Sequence, residues 1–157
     1  MRLTTKTNLA ARVLMACAVN DGITLRSAEI AQTCNASLNH LLQVVNGLQA
    51  HGFIETLRGR NGGLHLARPA AQISIGEVFR VFEARLPFAE CFSPDSNTCP
   101  LSGSCRLRGF VARAVEAFYH ELDMVTLDDL TKGNCGLSRL LAVPDSLRIA
   151  CGPSTVG

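Results

Sequence analysis

The chain has 157 residues, 47% of them hydrophobic and 18% charged, with a formal net charge of +2. That length suits one compact domain, or a small domain with a dimerisation arm, and no apolar run reaches the roughly 18 residues of a membrane span. The opening "MRLTTKTNLAARVLMACAV" alternates polar and apolar residues at helical spacing rather than forming the apolar core of a signal peptide, so a cytoplasmic protein without membrane contact is expected.

Residues 5–19 place Leu9, Val13, Ala16 and Ala18 near one stripe, which predicts a first helix. "NDG" at 20–22 stops it. Ser27 is read as the N-cap of a short second helix that offers Ala28, Ile30 and Ala31 for packing. After the break at "NAS", Ser37 caps a third helix with Leu38, Leu41, Val45 and Leu48 on its packing side and Gly52 at its end. Phe53, Ile54 and Leu57 then read as a strand, "RNGG" as a tight turn, and Leu64 and Leu66 as the returning strand, closed by Pro69.

A fourth helix follows at Ser74–Glu83, with Ile75, Val78, Phe79 and Phe82 facing inward. Beyond a polar loop, Leu107, Val111, Ala114, Val115, Phe118 and Leu122 form a long apolar stripe, which a small domain cannot cover unaided and which fits pairing with a second copy. "TLDDL" at 126–130 starts a last short helix. The expected fold is mainly α: a winged helix-turn-helix with a small β-hairpin wing and a long C-terminal dimerisation helix. The expected divisions are a DNA-binding domain at 1–84, a cysteine loop at 85–106, a dimerisation helix and short terminal helix at 107–143, and a loose tail at 144–157.

Charge agrees with that division. Residues 1–70 carry seven Lys/Arg against three acids, and the remainder carries eight against ten. A basic N-terminal half fits a nucleic-acid reader. On the third helix Ser37, Asn39, His40 and Gln43 are the polar side chains available to base edges or phosphates, Asn and Gln being suited to adenine. Arg58, Arg60 and Asn61 at the hairpin tip suit the phosphate backbone or the minor groove. No Ser-His-Asp or paired-carboxylate grouping emerges, so the chain is not read as an enzyme.

"ECFSPDSNTCPLSGSCRLR" at 90–108 holds Cys91, Cys99 and Cys105. In a reducing compartment, clustered loop cysteines point to metal or redox chemistry, whereas the isolated Cys17 and Cys34 read as small buried apolar residues. The spacing is wide for zinc, which takes four ligands in tighter pairs. Three thiolates and one weaker ligand would hold an iron–sulfur cluster with one labile iron, as a sensor requires. Arg106 and Arg108 could offset its negative charge. Three free thiols, or a disulfide between two of them, are the alternatives.

Several segments together resemble the iron–sulfur winged-helix repressors of the NsrR and RirA type: "MRLTTKTNLAARVLM", "RGRNGGLHLARPA", "ISIGEVFRVFE", the Cys-x7-Cys-x5-Cys loop with "CPL", and "AVEAFYHELDMVTLDDL". The resemblance spans about residues 1–143. It implies a homodimeric repressor that binds double-stranded DNA at a promoter operator, palindromic as the dimer is symmetric. It also implies a cluster in each subunit on Cys91, Cys99 and Cys105, 4Fe-4S in the leading reading and 2Fe-2S in the other. NsrR-type members respond to nitric oxide and RirA-type members to iron scarcity; an apo thiol redox sensor is a further reading, and an electron carrier a weaker one, since it would have no need of a basic wing. NsrR-like proteins often carry, at the equivalent of position 8, an aspartate donated across the dimer. Here the residue is Asn8, a neutral and poorer iron ligand, so Asn8 of the other subunit stands as the fourth ligand and a more labile iron is expected. Glu90 and Asp95 are other oxygen donors near the thiols.

Overall fold

A computed structural model describes residues 3–59, 62–83, 87–93 and 95–143. The first helix, α1 (Thr5–Val19), is the hub. Thr4 caps it, its hydroxyl accepting from the Thr7 N–H at 3.2 Å. The sequence predicts one apolar stripe, but Leu9, Ala10, Val13, Leu14, Ala16 and Cys17 are all buried. At about 100° per residue these positions spread over roughly half the circumference, a broader face than one stripe, and α1 packs against four other helices and the second strand.

The next helix, α2 (Ser27–Thr33), starts at Ser27 itself. Arg26 holds the N-cap position, and its backbone N–H donates to the Glu29 carboxylate at 3.4 Å. Ser27 is therefore the first helical residue and not the cap. Ile30 and Ala31 are buried while Ala28 faces solvent. Asn35 turns the chain with φ 50, a left-handed conformation that asparagine tolerates better than most residues. Then α3 (Leu38–Ala50) runs from its Ser37 cap to Gly52, whose φ of 71 ends it.

Strands β1 (Ile54–Leu57) and β2 (Gly63–Leu66) pair antiparallel, with Ile54 opposite Leu66 and Leu57 opposite Gly63. Leu25, ahead of α2, adds a bridge to β2: its N–H donates to the Leu64 carbonyl at 2.9 Å and its carbonyl accepts from Leu64 at 2.8 Å. Gly63 lies so close to the Leu25 carbonyl that a Cβ would stand 2.8 Å from its carbon. Leu25, Phe53, Ile54 and Leu64 are buried, so the hairpin joins the core of the helices. Below it, Arg68 grips Glu77 with one nitrogen at 2.8 and 2.9 Å from the two carboxylate oxygens, its guanidinium 5.0 Å from the Phe53 ring centroid.

The remaining helices are α4 (Ile75–Glu83), α5 (Arg106–Asp123), α6 (Leu127–Thr131) and α7 (Cys135–Leu141). Residues Ile73–Ile75 and Val125–Leu127 are stitched by hydrogen bonds of 2.9 Å from Ile75 N to Val125 O and from Leu127 N to Ile73 O. Leu127 is fully buried beside Ile73, and α6 and α7 both pack on α1. The C-terminal elements thus share the core of the N-terminal ones. Asn20, buried at the end of α1, donates to the Leu141 carbonyl at 2.8 Å and accepts from the Val143 N–H at 2.8 Å.

The longest helix, α5, buries no residue in this chain. Its C-terminal half leans on α4, where Arg80 reaches Asp123 at 2.7 Å and Glu116 at 2.6 Å. Val111, Val115, Phe118 and Leu122 are half-buried, whereas Leu107 and Phe110 are 66% and 59% exposed. Among the described residues no helix is long and apolar enough to cross a membrane.

Candidate DNA-reading face and cysteine loop

On α3 the buried residues are Leu41, Val44, Val45 and Leu48. That three- and four-residue spacing gives one core face. Asn39, Gln43 and Asn46 are exposed on the opposite side. At about 100° per residue they share an outward sector of roughly 140° with Leu38 and Leu42. Leu38 is therefore not a core residue as its periodicity implies. It is the first residue of the helix, beyond the edge of the core, and is 45% exposed.

Ser37 accepts from the His40 N–H at 3.2 Å and so is occupied in capping. His40 is half-buried and lies outside the outward sector. It lines a groove of about 510 Å³ with Thr4, Asn8, Arg12 and Asn35. Arg12 donates to the Cys34 carbonyl at 3.1 Å there, tying α1 to the end of α2. Arg58 is exposed just past β1. Arg60 and Asn61 lie outside the described residues.

In the cysteine loop, Cys91 sits in a 3-10 turn at Glu90–Phe92, and Cys105 is the N-cap residue of α5. Between them the chain is braced by its own polar groups. The Glu90 carboxylate accepts from the Thr98 N–H at 2.6 Å and its hydroxyl at 2.5 Å, and those two bonds hold its pKa below the usual carboxylate range. The Asn97 side chain accepts from the Cys99 N–H at 3.1 Å, and the Ser102 hydroxyl donates to the Cys99 carbonyl at 2.9 Å. Arg108 lies 5.8 Å from the Phe92 ring centroid. Glu90 is thus engaged with Thr98, while Asp95 is exposed.

Cys91, Cys99 and Cys105 are free and half-buried, while Cys17 and Cys34 are free and buried in the core, as expected. Burial, then the neighbouring Cys34, pushes the Cys17 thiol up to about 12. Among the described residues no three His, Cys, Asp or Glu side chains converge as a metal-binding group. Cys105 borders an open cavity of about 570 Å³ with Phe92, Ser102, Arg106 and Arg108. Asn8, exposed on α1, borders the separate groove beside His40. In kind, the donors fit a thiolate-held group: three free sulfurs on one loop, with Arg106 and Arg108 close by. In number, one chain leaves the set short of four.

Residues 3–133 match the Rrf2 family, described as an iron-dependent transcriptional regulator. The chain belongs to the Rrf2 family. It is 42% identical over 142 residues to the HTH-type transcriptional regulator NsrR of Geobacillus kaustophilus, covering 90% of this chain and 97% of that one. It is 40% identical over 148 residues to protein aau3 of Rhizobium meliloti, covering 94% and 96%. Among solved structures, the oxidised form of Staphylococcus aureus CymR is similar with a TM-score of 0.66 and 26% identity, covering 84% of this chain and 97% of that chain. This Rrf2 protein is accordingly a winged-helix transcriptional regulator rather than an enzyme, and DNA is its partner.

Reasoning from sequence missed Leu42 and Asn46 on the outward side of α3, and misplaced Leu38. Counting about 100° per residue away from Leu41, Val44, Val45 and Leu48 recovers Leu42 and Asn46. Leu38 needs the structure, because by angle it lies on the boundary between the core face and the outward sector, and its place as the first residue of the helix leaves it exposed.

Proposed function

We propose that this chain is an iron–sulfur-dependent, dimeric transcriptional repressor whose signal is nitric oxide. The observation that carries the reading is the set of three free, solvent-reachable thiols on the loop joining the reading head to α5. Cys91, Cys99 and Cys105 would hold the cluster as thiolates, with an oxygen donor from Asn8 of a second copy completing the set. When bound, an iron–sulfur cluster supplies an iron site that nitric oxide attacks. The 4Fe-4S form is the leading assignment and 2Fe-2S the other.

The residues of the chain transmit the occupancy of that loop. Glu83, the last residue of α4, hydrogen-bonds Thr4 at the start of α1. Arg80, one turn earlier, bonds Glu116 and Asp123 on α5. A loop bound at both ends fixes α1 and α5 together, and through them the spacing of two reading heads. Release of the loop frees that spacing, a two-state switch biased by a local ligand. Asn39 and Gln43 on α3 would read base edges, with Arg58, Arg60 and Asn61 following the backbone.

Anaerobic purification with iron and sulfide counting, followed by operator binding with and without nitric oxide, tests this reading. About four irons per subunit and loss of DNA binding on nitric oxide support it. DNA affinity indifferent to cluster removal would sink it. A chelator that releases DNA where nitric oxide does not would make iron the signal, in keeping with the iron-dependent description of the family. The half-exposed free thiols also favour a second reading, a thiol redox sensor, which predicts iron-free protein and a disulfide on oxidation.

A further inference from the structure

Leu38 and Leu42 stand one helical turn apart on the outward side of α3, 45% and 42% exposed. The core face of the same helix is complete without them, since Leu41, Val44, Val45 and Leu48 are at most 3% exposed. Asn39, Gln43 and Asn46 flank them, all exposed. A paired apolar patch left this exposed inside a polar surface forgoes favourable free energy in water.

We propose that Leu38 and Leu42 are specificity-determining residues that read thymine C5-methyl groups in the operator. The methyl of thymine is the apolar feature of the major-groove edge, where the other groups are hydrogen-bond donors and acceptors. The flanking amides suit adenine, the partner of thymine, so the face as a whole is complementary to A·T pairs. A helical turn rises about 5.4 Å and a base step about 3.4 Å, so the two side chains meet thymines one or two base pairs apart. The proposal rests on α3 being the reading helix. It goes beyond that by naming which base, and which atom of it, the helix selects.

The test begins with operators selected from a random duplex library by the intact protein. Each thymine is then replaced singly by deoxyuridine, which removes the methyl and nothing else. At one or two positions per half-site the wild type should lose about fourfold in affinity per methyl, the value of burying one such group. Leu38→Ala and Leu42→Ala should each abolish the loss at one position, and the fold, followed by circular dichroism, should not change because both side chains are exposed. Indifference of the wild type to every replacement, while Asn39→Ala and Gln43→Ala weaken binding, overturns the proposal and leaves α3 as a polar reader. Neutrality of all four substitutions overturns α3 as the reading helix. A change of oligomeric state in Leu42→Ala would assign the patch to a protein contact and likewise overturn the proposal.

Discussion

The Glu83 carboxylate accepts from both the backbone N–H and the hydroxyl of Thr4, at 2.8 and 3.0 Å, across 79 residues of sequence. The buried Thr7 hydroxyl donates to the same oxygen. One acid thus fastens the end of α4 to the start of α1, at the point where the chain leaves for the cysteine loop. Hydrogen bonds to a charged acceptor contribute about 1.5–3 kcal/mol each at most, and stranding a buried hydroxyl adds to the loss. Glu83→Ala should lower stability by about 2 kcal/mol in urea unfolding, and Glu83→Gln by about half as much. An unchanged midpoint for the alanine variant would show that the fastening is not needed for stability.

Gly76 has no room for a side chain. A Cβ there would lie 2.6 Å from the Asp123 backbone nitrogen, a rigid neighbour at the end of α5. Gly76→Ala must push α5 from α4 and should cost about 1–3 kcal/mol, as overpacking does. It should also strain the Arg80–Asp123 pair, so operator affinity is to be measured together with the unfolding midpoint.

The buried thiol of Cys17 has a signature in pH. Its folded pKa is raised from 9.0 to about 12 by burial and by the neighbouring Cys34. The unfolded chain therefore releases this proton first. Its contribution to stability is complete below pH 9 and falls as pH rises towards 12, at up to about 1.4 kcal/mol per pH unit. Urea midpoints of wild type and Cys17→Ala should converge between pH 8 and pH 10.5. At pH 8, alkylation of the folded protein should modify Cys91, Cys99 and Cys105 and spare Cys17; equal labelling would contradict its burial.

Asn8→Asp bears on the proposed fourth ligand. A carboxylate is the stronger donor to iron and brings a balancing charge, so the variant should lose iron to a chelator more slowly than the wild type. Equal rates, read from anaerobic absorbance, would remove Asn8 from the ligand position.

The outer face of α5 should bind a second copy. Leu107→Glu with Phe110→Glu places two charges among exposed apolar side chains and should shift sedimentation from dimer to monomer. A wild type that sediments as a monomer would take the dimer away altogether.

The order of elements was legible because local chemistry marks it. Ser37 caps α3 as expected, Thr126 caps α6 at the start of "TLDDL", Gly52 stops α3, and the two expected strands pair. What escaped was decided by tertiary contacts. The short α7 carries its own signal, the Asn134 side chain accepting from the Leu137 N–H at 3.1 Å, but its packing on α1 has no local mark. The broad buried face of α1 reflects its central position, which the short stripe read from the sequence understates. For the site, thiol identity and spacing were readable at once. The proposed fourth ligand would come from a second copy, and no spacing within this chain specifies it.

The bridge between Leu25 and Leu64 reaches further than the two residues it joins. It welds the hairpin to the segment that launches α2, and the buried Leu25 and Leu64 lock that weld into the same core as α3. Wing and recognition helix therefore travel together, as a stamp with a fixed relief. In the proposed dimer, a signal would adjust where the stamp lands and how far apart two of them fall. Variation in operator sequence across targets should then alter how tightly the protein holds on, while the length of spacer between half-sites decides how completely it lets go.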